Sequence, residues 1–319
     1  MLKTSFTKLT GCTVPLQQAP MGGVTTPQLA VAIAQAGGVG MLAGVGIPAP
    51  ALEQMLDWMR SQTKGLFGVN FLMHFLDRQA LEIAAAKANI VDFFYDEPDP
   101  ALVDIVHKGG ALAAWQVGSM AEAVAAVDAG CDFIVAQGTE AGGHVRGQVA
   151  LLPLLEDLLP VVNVPVVATG GIATGRSMAA VLAAGATAVR VGTRFLAADE
   201  IDAHPAYVDA IIAAQSDETV LTDRFSVMWP NAPHRVLRSC VEAVDAFQGD
   251  VVGEMVMGDQ RMPLPRFAVP APSSHVTGAI EAMALYAGEG VGAVKKRQPA
   301  AEIVQEMASE AESLLRRWA

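Results

Sequence analysis

Cysteine is scarce in this 319-residue chain, and Cys12, Cys131 and Cys240 lie far apart and are odd in number. There is no CxxC pair and no Cys/His cluster at metal-ligand spacing, so neither a disulfide framework nor a structural zinc site is expected, and no metal is assigned. Charge is also sparse, at 17% of residues, and it is lopsided: 21 basic against 33 acidic side chains leave a net charge of −12. Such a chain has no overall attraction for a phosphate backbone or an anionic lipid surface, which argues against nucleic acid and membrane as partners. Long apolar runs are missing. Stretches such as Pro165–Ala168 and Met178–Ala184 are far too short to span a bilayer. The N-terminal MLKTSFTKLTGCTVPL lacks the apolar core of a secretion signal, so the expected location is a reducing, cytoplasmic one. No GxGxxG opens a βα unit with an acidic residue about twenty positions on, and no Ser/His/Asp or Cys/His nucleophile set is visible.

What is present is apolar and periodic. Hydrophobic residues make up 52% of the chain, enough for a large buried core. Short apolar runs predict strands at Val14–Ala19, Gly38–Leu42, Gly65–Phe71, Ile90–Tyr95, Ala111–Val117, Phe133–Ala136, Pro165–Ala168 and Ala188–Val191. Between them, Ala-rich amphipathic spacing predicts helices at Thr26–Ala36, Ala49–Arg60, Arg78–Ala88, Pro100–His107, Met120–Ala129, Leu151–Leu159 and Gly175–Ala184. Thr26, Ser119 and Thr174 stand where N-caps belong, and Gly37, Gly130 and Gly185 where helices should stop. Eight buried strands alternating with helices predict an α/β fold, a closed (β/α)8 TIM barrel, with an open doubly wound sheet as the competitor.

After the eighth strand the pattern changes. Pro205–Ala214 reads as a helix, and the stretch that follows is rich in Pro, Met, Asp and Arg, with a Trp229-Pro230-Asn231 loop. Ala301–Trp318 reads as an amphipathic helix returning to the barrel wall. The expected division is a barrel from 1–214 and 300–319 and a smaller, mostly helical C-terminal cap subdomain from 215–299.

In such a barrel the chemistry sits on loops at the C-terminal ends of the strands. Thr169-Gly170-Gly171 after strand seven and Gly192-Thr193-Arg194 after strand eight expose backbone N–H groups suited to a phosphate. The loop Gln137-Gly-Thr-Glu140-Ala-Gly-Gly143-His144-Val-Arg146 is too glycine-rich for a helix or strand and brings one imidazole to the mouth. Glu140 and Arg146 read as solvated, and Cys131 as core. Gln17, Gln18, Asn70 and Gln116 offer amide edges for a flat heterocycle, and His74 stands four residues after Asn70.

The chain resembles the nitronate monooxygenase family, formerly called 2-nitropropane dioxygenases, in Ala19-Pro20-Met21-Gly22, Ala36-Gly37-Gly38, Gly68-Val69-Asn70, Glu140-Ala141-Gly142-Gly143-His144, Ala168-Thr169-Gly170-Gly171-Ile172 and Gly192-Thr193-Arg194-Phe195-Leu196. FMN-dependent enoyl-ACP reductases look similar at the same places. The resemblance implies FMN, with its phosphate on Gly170, Gly171, Gly192 and Thr193, its ring beside Met21, Gly22 and Asn70, and Gln116, Gln137 and Gly143 close to the ring or ribityl chain. It implies His144 as the catalytic residue, and as substrates an alkyl nitronate or nitroalkane with O2, giving a carbonyl compound and nitrite. In some relatives Lys stands at the place of Gln116 and Asp at that of Gln137, so this chain carries less charge near the flavin. The alternative activities are an NAD(P)H-using enoyl-ACP or quinone reductase. A flavin-free phosphosugar barrel or a non-catalytic flavin binder would be distinguished by colour and by insensitivity to His144→Ala. The sequence is compatible with a homodimer.

Overall fold

The computed structural model describes residues 2–257 and 260–317. In chain order the first elements are α1 (Ser5–Thr10), β1 (Leu16–Gln18), α2 (Pro27–Gln35), β2 (Val39–Ala43), α3 (Ala49–Gln62), β3 (Leu66–Leu72), α4 (Arg78–Lys87), β4 (Ile90–Phe94), α5 (Pro100–Gly109), β5 (Leu112–Val117), α6 (Met120–Asp128) and β6 (Phe133–Gln137). They continue with β7 (Gly143–His144), α7 (Leu151–Leu158), β8 (Val166–Thr169), α8 (Gly175–Ala183), β9 (Ala188–Val191) and α9 (Pro205–Ala213). The parallel strands close in the order β1-β2-β3-β4-β5-β6-β8-β9, with Leu16 against Val189 and Gln18 against Val191 sealing the cylinder. The predicted barrel is therefore the observed one, with element ends shifted by a residue or two. No helix among the described residues is long and apolar enough to cross a membrane.

Side-chain alternation divides the core in two. Inward-facing Val39, Met41, Ile90, Ala114, Phe133, Val135, Val167 and Ala188 fill the lower barrel. Outward-facing residues such as Val69, Phe93, Trp115 and Ile134 meet Leu29, Leu52, Leu81, Val106 and Leu154 of the surrounding helices. The helix–sheet approach is close enough at β2 that a Cβ on Gly40 would lie 2.0 Å from the Ala30 carbonyl oxygen, so only glycine fits there. Helix α1, which the sequence did not signal, is held by reciprocal Thr4 and Thr7 hydrogen bonds. It inserts Phe6 into the barrel floor, edge-on to Phe133 at 5.2 Å.

Above the apolar layer lies a buried polar one. Arg190 on β9, 1% exposed, donates from Nε to Gln17 Oε1 (2.9 Å), from Nη1 to Gln116 Oε1 (2.8 Å), and from Nη2 to Asp92, which is fully buried. Four strands are thus cross-linked through one guanidinium beneath the mouth.

The segment 215–299 corrects the expectation of a mostly helical cap. It contains β10 (Thr219–Thr222), β11 (His234–Leu237), one α-helix, α10 (Arg238–Ala246), and β12 (Val251–Met257), β13 (Gln260–Pro265) and β14 (Val276–Gly278). These form two small antiparallel sheets, β10-β11-β7 and β13-β12-β14. Strand pairing satisfies part of the backbone of this Pro- and Met-rich run, and β12 and β13, which carry Gly253, Pro263 and Pro265 within them, do not read as strands in sequence. Helix α11 (Ala300–Leu315) then returns to pack on α8 and α2 and takes the eighth place in the helical ring. Trp318, the expected end of that helix, lies outside the described residues.

Candidate active site

The C-terminal ends of the strands form a rim in which glycine backbone replaces side chains. Gly170 and Gly171, just past β8, adopt φ of 121° and 67°, left-handed conformations that few other residues tolerate. A Cβ on Gly170 would stand 3.1 Å from the Gly138 carbonyl oxygen, and one on Gly171 3.3 Å from Glu140 Cβ. Gly192, just past β9, faces the β1 loop, where its Cβ would lie 3.2 Å from Ala19 Cβ and 3.9 Å from Met21 Sδ. The N–H groups of Gly170, Gly171, Gly192 and Thr193 take no backbone partner among the described residues. Unclaimed donors on a glycine-lined rim suit a phosphate in a protein whose overall charge would repel one. The 215–299 segment closes one side of this rim: the Gly288 N–H donates to Thr193 Oγ1 (3.0 Å), and a Cβ on Gly290 would lie 2.9 Å from the Gly171 carbonyl oxygen. The 288–292 run, Gly-Glu-Gly-Val-Gly, was the available sequence signal for this contact.

A cluster of aromatic rings stands at the same end of the barrel. The loop after β6 is pinned by Gln137, whose Nε2 donates to the His144 carbonyl (2.8 Å) while its Oε1 accepts from the Arg146 N–H (3.3 Å). His144 then pairs, through the short strand β7, with His234 on β11. Trp229 stacks on the His144 ring with centroids 4.0 Å apart, and Tyr95 meets Trp229 edge-on at 4.8 Å and His144 at 6.2 Å. His74 lies parallel to Trp229 at 6.1 Å, which places it at the mouth. His234 holds both ends of the loop bearing Trp229: Nε2 accepts from the Phe225 N–H (3.2 Å), which leaves Nδ1 to donate to the Ala232 carbonyl (2.9 Å).

Burial, and secondarily the neighbouring His234, pushes the His144 imidazole down to about 3. Burial also lowers His234. Both rings are neutral at pH 7, and Nε2 of His144 is buried without a hydrogen-bond partner among the described residues. In the unfolded chain each would titrate near 6.5. The unfolded state therefore takes up protons first, and stability present above pH 6.5 is lost as pH falls toward 3. Lowering the pH from 7 to 5 is expected to cost about 1–2 kcal/mol through His144. Urea unfolding of wild type and His144→Gln at both pH values measures this, and the variant should show a correspondingly weaker pH dependence.

The structure gathers Met21, Gly22, Asn70, Gln137, Gly143, His144, Gly170, Gly171, Gly192 and Thr193 at one end of the barrel, on β1, β3, β6, β8, β9 and the segments that follow them. Gln116 lies lower, with its carbonyl oxygen taken by Arg190. Asn70 donates to the Asp92 carbonyl (3.4 Å). Glu140 and Arg146 are not solvated as expected. The Glu140 carboxylate accepts from the Leu151 N–H at the start of α7, where Ala150 offers no side-chain cap. Arg146 is ion-paired with Glu122 and, at 3.3 Å, with Glu97. Tyr95, Trp229 and His234 were not foreseen as site residues.

This is an α/β barrel whose candidate site lies at the C-terminal ends of its strands. A family model described as nitronate monooxygenase matches residues 3–82 and 73–310, and the chain belongs to that family of oxidoreductases. It is 33% identical over 239 residues to a (3aS,4S,5R,7aS)-5-hydroxy-7a-methyl-1-oxo-octahydro-1H-indene-4-carboxyl-CoA dehydrogenase of Rhodococcus jostii (strain RHA1), covering 75% of this chain and 66%, just under two thirds, of that protein. It is 27% identical over 296 residues to a probable nitronate monooxygenase of Staphylococcus aureus (strain JH9), covering 78% of this chain and 82% of the relative. Among solved structures it is similar to FabK from Thermotoga maritima (TM-score 0.82, 26% identity, 100% and 99% coverage). It is also similar to a nitroalkane oxidase from Streptomyces ansochromogenes (TM-score 0.79, 29% identity, 99% and 100% coverage).

Proposed function

We propose that the chain is an FMN-dependent nitronate monooxygenase that oxidises alkyl nitronates with O2 to carbonyl compounds and nitrite. The observation that carries this reading is the buried Nε2 of His144, without a hydrogen-bond partner among the described residues, at the same end of the barrel as the glycine backbone of 170–171 and 192–193. Gly170, Gly171, Gly192 and Thr193 would hold the phosphate of FMN, with Met21, Gly22 and Asn70 beside its ring system and Gly143 at the edge. When bound, FMN supplies the electron-accepting capacity that the rim's side chains lack.

The chain's own contribution is position and proton control. A neutral imidazole can take the α-proton of a nitroalkane at Nε2, or hydrogen-bond to an oxygen of a nitronate already formed. A ring lowered to about 3 is a weak base before substrate arrives. An anionic nitronate beside it favours the protonated ring, so His144 gains a proton as the anion binds. This geometry therefore suits the preformed nitronate better than the neutral nitroalkane. Trp229, stacked on the ring, keeps water from it.

The likeness to FabK and to the Rhodococcus carboxyl-CoA dehydrogenase supports a second reading, an FMN oxidoreductase acting on a thioester, with NAD(P)H as the reductant if it resembles the enoyl-ACP reductases. Anaerobic mixing of the yellow protein separates the two. Bleaching by propyl-2-nitronate and not by NADH or NADPH is the expected result, and rapid bleaching by a nicotinamide alone would overturn the first reading. Colourless protein that fails to take up FMN would exclude both.

A further inference from the structure

Tyr95 closes β4 with φ +64°, and Asp96 follows at +76°, two consecutive non-glycine residues in the left-handed region on the catalytic rim. Such conformations cost energy and cluster where a side chain must be aimed. What they aim is the phenol: its ring stands edge-on to Trp229 and to His144, at 4.8 and 6.2 Å. The Arg146 guanidinium lies over the Tyr95 ring, 5.6 Å from its centroid, and is held there by Glu122 and Glu97. A cation over the face draws electron density from the ring and makes the hydroxyl a stronger donor. Yet Tyr95 Oη is buried with no hydrogen-bond partner. Buried hydroxyls are nearly always paired, so an orphan calls for an explanation.

Six side chains carry such orphaned atoms among the described residues, and their placement distinguishes them. Asp92 and Trp115 belong to the barrel interior and wall, and Arg194 and Gln298 bond to each other at 2.8 Å, with Arg194 also facing Glu306 of α11. Only Tyr95 and His144 share one cluster of rings on the rim.

We infer that Tyr95 is a second catalytic residue, whose hydroxyl donates a hydrogen bond to the same substrate oxygen that His144 Nε2 engages. The substrate class this selects is a planar, delocalised oxyanion, of which a nitronate is one. The inference rests on the function proposed above, and it adds a residue and a two-point contact to it. Burial raises the phenol to about 12, so it remains a donor throughout the working pH range.

Tyr95→Phe removes the hydroxyl and keeps the ring. Because Oη has no partner among the described residues, the variant is expected to melt at the same temperature as wild type or higher. It should retain FMN by visible absorbance, and lose about 10- to 100-fold in kcat/KM for propyl-2-nitronate, as for a lost hydrogen bond to a charged group. The double variant with His144→Ala should lose less than the product of the two single losses, since both act on one oxygen. A lowered melting temperature would show that Oη is bonded within the protein, and loss of FMN that its partner is the cofactor. Unchanged kcat/KM or strictly multiplicative losses would mean that no substrate oxygen is shared. Each of these overturns the assignment. If wild type itself does not oxidise the nitronate, the proposed function fails, while the melting comparison still decides whether Oη is free for a ligand.

Discussion

His144→Ala is expected to lower turnover of a neutral nitroalkane by about 10²-fold, the lower end of what a positioned general base contributes, because burial makes this ring a weak one. FMN should stay bound, because the glycine rim at 170–171 and 192–193 is untouched. Turnover of the preformed nitronate should fall less, since its proton is already gone and only a hydrogen bond is lost. Steady-state assays with a nitroalkane and its nitronate, at matched FMN occupancy, measure both. Equal losses on the two substrates would assign His144 to orientation and remove proton abstraction from its role.

The largest effect on stability is expected beneath the mouth. Arg190→Met leaves Asp92 as an unpaired charge in the barrel interior and strips Gln17 and Gln116 of their donor. Breaking one side of a buried ion pair costs about 3–5 kcal/mol. Burial already pushes the Asp92 carboxyl up, with Arg190 opposing it, and losing the guanidinium raises it further. A carboxyl raised in the folded state binds its proton there more tightly than in the unfolded chain. The deficit of the variant should therefore shrink as pH falls and grow as pH rises. Urea unfolding at pH 5 and pH 8 reads this directly. Replacing both partners, Asp92→Leu with Arg190→Met, should recover much of the loss, because an apolar pair needs no compensating charge. If the double variant is as unstable as the single one, the cost lies in packing and not in the orphaned charge.

The barrel was legible because each of its units repeats one local message: a buried strand, a capped amphipathic helix and, after several helices, a glycine stop. Thr26, Ser119 and Thr174 cap their helices as read. Helix α1 was not legible, since Ser5-Phe-Thr-Lys-Leu-Thr10 has weak helix propensity and is held by Thr4 and by Phe6 in the barrel floor. In the site, the glycine motifs and His144 stood out because local conformation demands glycine. Tyr95 did not, because its conformation and the isolation of its hydroxyl are products of tertiary packing. Trp229 was visible only as part of a loop, and its stacking on His144 depends on β11 pairing with β7. Glu140 and Arg146 look like ordinary surface charges until α7 and Glu122 are placed beside them.

The pairing of β7 with β11 has an engineering consequence. The Gly143–His144 strand belongs by sequence to the barrel, but the strand beside it comes from the 215–299 segment, which also supplies Trp229. A chimaera that grafts this segment from a relative would also replace the strand that pairs beside His144 and the ring stacked on it. Domain shuffling at this boundary alters rate and preference together, and directed evolution of one will drag the other unless both edges of that small sheet are carried over as a unit.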